Sequence, residues 1–222
     1  DPHRRGSTLS DVILGGQDAI VNILGVLLGV AAASNSRRMV LAAGFAAAFA
    51  ESISMAAVAY STNVAQDDVY RSERAREYRH VRTVPALERE EVRDLYARKG
   101  FEGDLLDRIV ARITADPDVW VAVMMAEEHG LVPIGRARAL RSAAVVGLAS
   151  IVGSVLPVVP FVLLGMRAGS WATIGVAGAT LFAVGAYKGR ATTGRPWKSG
   201  GEMMGIGMAS ALAGWAIGML FR

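Results

Sequence analysis

Five stretches of this chain are apolar over lengths that match a lipid bilayer, and no other feature narrows its fold as far. A hydrocarbon core of roughly 30 Å takes about 20 apolar residues as a helix. The stretches run from Val12 to Ala33, Met39 to Asn63, Ala143 to Met166, Ala168 to Tyr187 and Gly200 to Phe221. Their only charged residues are Asp18, Glu51 and Glu202. The rest of the charge is segregated: 29 of the 44 Asp, Glu, Lys and Arg residues fall between Gln66 and Arg141. A soluble domain spreads charge over every amphipathic element, so this pattern excludes one. The expected fold is all-α. It is a polytopic membrane protein with five transmembrane helices and a helical charged insert. Residues 1–65 hold the first two spans, 66–141 the insert and 142–222 the last three spans.

Composition removes several chemistries. The chain has no Cys, which excludes disulfides, thiolate-bound zinc, iron–sulfur clusters and thiol nucleophiles. An apolar content of 52% excludes disorder. The net charge of +4 is mild, and in a membrane protein excess Arg reflects topology rather than nucleic-acid binding. Lys and Arg in short loops set the expected orientation. Arg4, Arg5, the insert, Lys188, Arg190, Arg195 and Lys198 fall on one side, against Arg37, Arg38, Arg167 and Arg222 on the other. This count puts the N-terminus and insert in the cytoplasm, with the Arg37-Arg38 pair running against it. The minimal loops and Ala- and Arg-rich style point to a bacterial inner membrane.

Gly and Ala crowd the spans, as in GVLLGVAAA of the first, AAGFAAAFA of the second, and Gly175 and Gly178 of the fourth. Small residues allow close helix approach in lipid. Pro157 and Pro160 each remove a backbone donor from the third span and are expected to bend or interrupt it.

A carboxylate at membrane depth is costly and should face a partner, water or an ion. Asp18 has Asn22 four residues on, on the same helix face; Glu51 has Met55 four residues on. Oxygen donors with a softer sulfur suit a divalent transition metal better than Mg2+ or Ca2+. The same carboxylates can carry protons. Asp18 also fits a headgroup-level helix start, and Met55 fits plain packing.

The insert reads as helical. Tyr60 to His80 holds no breaker, so the second span is expected to continue into it as one helix. Pro85 opens a new helix, and Asp116-Pro117 reads as a cap and first turn of another that stops at Gly130. Glu77 and His80 lie three apart, as do Glu88 and Glu91, and Met124 and Met125 precede Glu128 on one helix. Carboxylates at this spacing from several helices build metal sites. They also make solvated faces, and a Met pair also makes core; both readings stay open. A di-iron enzyme needs two Glu-x-x-His motifs, and Glu77-x-x-His80 has no second copy, which argues against catalysis.

Taken together, GGQDAIVNILGVLLGV, SISMAAVAY, PDVWVAVMMAEEHGL and GSVLPVVPFVL, in this order and spacing, resemble the vacuolar iron transporter (VIT) family. The resemblance spans nearly the whole chain. It implies a homodimer in a lipid bilayer, vacuolar in eukaryotes, that exports Fe2+ from the cytosol in exchange for protons. Mn2+, Zn2+ and Co2+ are further candidate ions. It implies a membrane site at Asp18 and Met55, with Glu51 as partner. It implies a capture site at Glu77, Glu88, Glu91, Met124, Met125 and Glu128, to which the imidazole of His80 is a further candidate ligand. The chain departs from the family pattern at His80, where members carry Glu, and at Ala59, where many carry an acid; Glu51 stands two turns earlier. The competing reading is a membrane-anchored iron-binding or sensing protein without transport.

Overall fold

The computed structural model describes the backbone of residues 2–192 and 194–222, and the side chains from residue 9 onward apart from residue 193. Arg4 and Arg5, counted above toward orientation, lie outside the described side chains. Eight helices follow in order, and no strand occurs among the described residues. They are α1 (Pro2–Ala33), α2 (Arg37–Thr83), α3 (Pro85–Ala97), α4 (Gly103–Thr114), α5 (Pro117–Glu127), α6 (Arg136–Leu163), α7 (Met166–Thr192) and α8 (Pro196–Leu220). Five of them, α1, α2, α6, α7 and α8, are long and apolar enough to cross a membrane. The protein is thus a multi-pass membrane protein. The chain separates into two compact units, one of residues 1–60 with 140–222 and one of residues 61–139.

Helix α2 is continuous for 47 residues, as its lack of breakers predicts. At a rise of 1.5 Å per residue it extends roughly 70 Å, more than twice a hydrocarbon core, so only its apolar first part can lie in lipid. It ends where Val84 precedes Pro85, because the proline ring disfavours helical backbone at the residue before it.

In the first unit, α1 carries three different faces. Ile20, Leu24 and Leu28 pack with Ala177, Leu181, Met203 and Ala211 of α7 and α8. Ile23 and Leu27, turned by one position, pack with Val40, Ala48, Val158 and Phe161 of α2 and α6. The third face holds Asp18 and Asn22, both exposed. Backbone approach fixes these contacts. Gly25 and Gly29 of α1 meet Gly214 and Gly218 of α8, so that a Cβ on Gly214 or Gly218 would strike the carbonyl of Gly25 or Gly29. A Cβ on Gly153 of α6 would lie 2.6 Å from the Gly16 carbonyl oxygen. In α7, Gly185 and Gly189 are in close contact with Ser199 and its neighbours, and Gly169 with Phe161 of α6, whereas Gly175 faces open space.

Helix α6 runs uninterrupted through Pro157 and Pro160, so of the expected bend or interruption the interruption does not occur. The Thr173 hydroxyl of α7 donates to the Pro157 carbonyl at 2.8 Å, tying the proline-bearing turn to its neighbour. Arg37 explains part of the contrary charge on its side. Its Nε donates to the Phe161 carbonyl at 2.7 Å and its guanidinium also reaches the Val162 carbonyl. These are terminal carbonyls of α6, which have no acceptor role inside the helix.

The second unit has its own core, built from Val81, Val92, Leu95, Leu106, Val110, Ile113, Trp120, Val121, Met124 and Met125. Asp116 caps α5 as its sequence predicts, its carboxylate accepting from the Asp118 N–H at 2.9 Å. Asp67 on α2 accepts from the Ile134 N–H at 3.1 Å and pairs with Arg71 at 2.8 Å, which anchors the segment after α5.

The glycine contacts give a direct contrast. Gly214→Val forces a side chain into the α1 backbone and is expected to cost about 1–3 kcal/mol or more. Gly175→Ala enters open space and is expected to stay within about 0.5 kcal/mol. Thermal unfolding of both variants in detergent, followed by size-exclusion fluorescence, checks this difference.

Candidate metal centres

The second unit gathers carboxylates around one buried side chain. Glu77, on α2, is only 2% exposed, and so is Glu88, on the first turn of α3. Three residues along from Glu77, His80 places Nδ1 3.2 Å from Glu88 Oε1 and 3.9 Å from Glu77 Oε1. The helix spacing read from the sequence therefore brings Glu77 and His80 together, and Pro85 starts α3 so that Glu88 folds back onto them. Glu128 and His129 arrive from the end of α5. Gly130 adopts φ +63, a backbone region that glycine enters without steric cost. This turn lets the Leu131 N–H return to the Met125 carbonyl at 2.9 Å and ends the helix. It leaves His129 Nε2 3.2 Å from Glu77 Oε1. Two triads result, Glu77/His80/Glu88 and Glu77/Glu128/His129, each with donor atoms within 4.8 Å of one another.

The second oxygens of Glu77 and Glu88 are buried and make no hydrogen bond. An unmet buried acceptor costs about 1–3 kcal/mol, more when charged, so the cluster is poor as mere packing and suited to a cation. Electrostatics agree. Burial pushes the Glu88 carboxyl up to about 7, with Glu77, Glu91 and Glu128 adding repulsion and His80 opposing it. Glu128 is raised too, first by loss of water around its carboxyl, then by Glu91 and Glu77, against the pull of His129 and Arg76. Glu91, half-buried one turn beyond Glu88, thus acts on the cluster through its charge. Met124 and Met125 are 0% and 2% exposed and belong to the apolar core of the unit. His129 is the member that spacing did not single out. The available signal was its position between Glu128 and a helix-ending glycine.

In the membrane-spanning unit, Asn22 of α1 donates to Glu51 of α2, Nδ2 to Oε1 2.7 Å. Asp18 lies within electrostatic reach of Glu51. Met55 is half-buried one turn after Glu51, and Ala59 is buried a further turn on. Asp18 and Asn22 on α1 and Glu51 on α2 therefore form one polar patch, in which helical spacing pairs Asp18 with Asn22 and a tertiary contact joins Asn22 to Glu51. A separate cavity of about 560 Å3 is lined by Leu28, Arg167, Trp171, Ile174, Met208 and Trp215 among others. It offers a cation and no carboxylate, so it is no cation site.

A family model for the VIT family matches residues 9–219. The chain belongs to the VIT family. It is 32% identical over 210 residues to vacuolar iron transporter 2 of Oryza sativa subsp. japonica, covering 94% of this chain and 85% of that protein. With vacuolar iron transporter 1 of Arabidopsis thaliana it shares 29% over 213 residues, 96% of this chain and 85% of the relative. It also matches the vacuolar iron transporter of Plasmodium falciparum (isolate 3D7) at 24% identity over 224 residues, 96% of this chain and 82% of the relative. VIT-family proteins are transporters and not enzymes.

The Glu88 shift sets a pH dependence. A cation held here would need the carboxylate, and with the Glu88 carboxyl pushed up to about 7 it would compete with a proton below that value. Affinity at the Glu77 cluster is expected to be full at pH 8 and to fall by up to about tenfold per pH unit below 7 for each proton displaced. Calorimetric titration with Co2+ between pH 5.5 and 8 checks it, and Glu88→Gln should flatten the profile. Without metal the sign for folding is the opposite of an ion-paired acid. The raised Glu88 stabilises the fold below its unfolded value of 4.5, and that contribution is lost as pH rises through about 7.

Proposed function

We propose that this protein is a homodimeric transporter that exports Fe2+ from the cytosol in exchange for protons. Mn2+, Zn2+ and Co2+ are alternative cargoes by donor chemistry. The observation that carries the reading is the patch of Asp18, Asn22 and Glu51 on membrane-spanning helices, left partly exposed in the single chain. Charged groups cannot face lipid cheaply, so a second copy covering this patch resolves the cost and encloses an ion path. The related vacuolar iron transporters of Oryza sativa and Arabidopsis thaliana support iron as the cargo.

In this reading the unit of residues 61–139 is cytoplasmic and collects ions at Glu77, His80, Glu88, Glu91 and Glu128, with Met124 and Met125 supplying sulfur where an ion draws them out. Ions then enter the membrane site at Asp18, Glu51 and Met55. Asn22 holds Glu51 in place and must release or share it when an ion arrives. The carboxylates bind a cation or protons, not both, and this competition is the basis of exchange. Acid on the far side protonates them and frees the ion. The N-terminus is cytoplasmic, and the membrane is a bacterial inner membrane, or the vacuolar membrane in a eukaryote.

Fe2+ uptake into proteoliposomes with a neutral or acidic lumen tests this. Uptake is expected to rise with an acidic lumen and to be abolished in Asp18→Asn and in Glu51→Gln. Glu88→Ala with Glu91→Ala is expected to weaken capture, raising the Fe2+ concentration for half-maximal flux while leaving residual transport. A wild-type protein that binds Fe2+ but moves none under any gradient would support an anchored binding or sensing protein instead.

A further inference from the structure

Two imidazoles converge on one buried carboxylate. His80 stands on α2, three residues from Glu77, and His129 arrives from beyond the end of α5. Both direct a ring nitrogen toward Glu77 Oε1, at 3.9 and 3.2 Å. The other oxygen of Glu77, and that of Glu88, is buried without a partner. The histidines thus leave half of each carboxylate's acceptor capacity unmet, which is the arrangement of a donor set rather than of finished ion pairs.

We infer that His129 is a metal ligand and that, with His80, it makes the Glu77 cluster select ions that favour nitrogen. The inference rests on the reading of this unit as the ion-capturing part of a transporter. Imidazole suits Fe2+, Co2+ and Zn2+, whereas sites of carboxylate and water alone suit Mg2+, Ca2+ and Mn2+. Each imidazole that stands where a carboxylate could stand also removes a negative charge. Hard ions, which depend most on that charge, lose more by the exchange than borderline ions do. The two triads share Glu77 but not their histidines, so each triad has one imidazole. Glu77 bridges the two, and selectivity is built into both halves of the cluster.

The test is competition on the purified full-length protein in detergent, with Co2+, Zn2+ and Mn2+ each titrated without oxygen. Wild type is expected to prefer Co2+ and Zn2+ to Mn2+. His129→Gln should weaken Co2+ and Zn2+ by about tenfold or more, a loss that even outer partners of metal ligands bring, and weaken Mn2+ much less. The visible bands of bound Co2+ should change in the same variant. His80→Glu with His129→Glu should move the preference toward Mn2+. X-ray absorption at the zinc edge of the wild-type complex needs no variant to fold, and it should show imidazole scattering. Absence of that scattering, or an equal effect of His129→Gln on all three ions, overturns the inference. The proposed transport has its own readout. Transport that stops in Asp18→Asn while the histidine variants leave ion preference unchanged would sink only the selectivity. Ion preference that shifts in His129→Gln, in a protein that moves no ion, would sink only the transport.

Discussion

Glu51, Glu77 and Glu88 are carboxylates held where water solvates them incompletely, and much of the surrounding chemistry answers that cost. Glu51 receives a hydrogen bond from Asn22. Glu77 draws His80 and His129, and Glu88 draws His80. None of these partners neutralises the acids in full: Glu77 and Glu88 each retain a bare buried oxygen. A fold under selection for stability alone would replace such acids by apolar residues, since removing both charge and partner is often neutral or stabilising. Their presence is intelligible if a cation completes them. The same argument applies in lipid, where the penalty for an uncompensated charge is larger.

Presenting those acids needs rigid helices, and the two units achieve this in different ways. In the membrane-spanning unit water drives little association between helices, so close packing must. The glycines at 25 and 29 against 214 and 218 bring α1 and α8 together at backbone distance. That contact uses one face of α1, and Ile23 and Leu27 use a second against α2 and α6. The third face is thereby fixed in rotation, with Asp18 and Asn22 toward Glu51. In the other unit a water-excluding core around Val92, Trp120 and Val121 serves the same purpose. Short helices with proline starts and glycine ends then set where each acid emerges.

Much of this was legible in the sequence, for physical reasons. Five apolar stretches became five helices because lipid leaves the backbone no alternative. Asp18 with Asn22, and Glu77 with His80, were brought onto common faces by helical spacing alone. What was hidden depends on tertiary partners. GVLLGVAAA announces small residues but not that Gly214 and Gly218 meet them, while Gly175, equally conspicuous, packs against nothing. Pro157 and Pro160 read as a bend or an interruption, and α6 continues through both without interruption. Met124 and Met125 read as core or ligand, and the structure buries both in the core of their unit. His129 escaped because its role arises from the backward turn at Gly130, which periodicity cannot see.

Arg37 shows how such a tertiary contact can distort a sequence rule. Counting Lys and Arg by loop assumes that each charge is free to respond to the membrane's two sides. Arg37 instead donates to the Phe161 and Val162 carbonyls at the end of α6. Those carbonyls have no partner inside the helix, so the residue has a structural reason to be there whichever side of the membrane it occupies. Removing it from the count leaves Arg38 as the basic residue at the start of α2, with Arg167 and Arg222 elsewhere on that side. Lys188, Arg190, Arg195 and Lys198 stand on the other side with the charged unit. The balance then leans further toward the proposed cytoplasmic placement of the residue 61–139 unit.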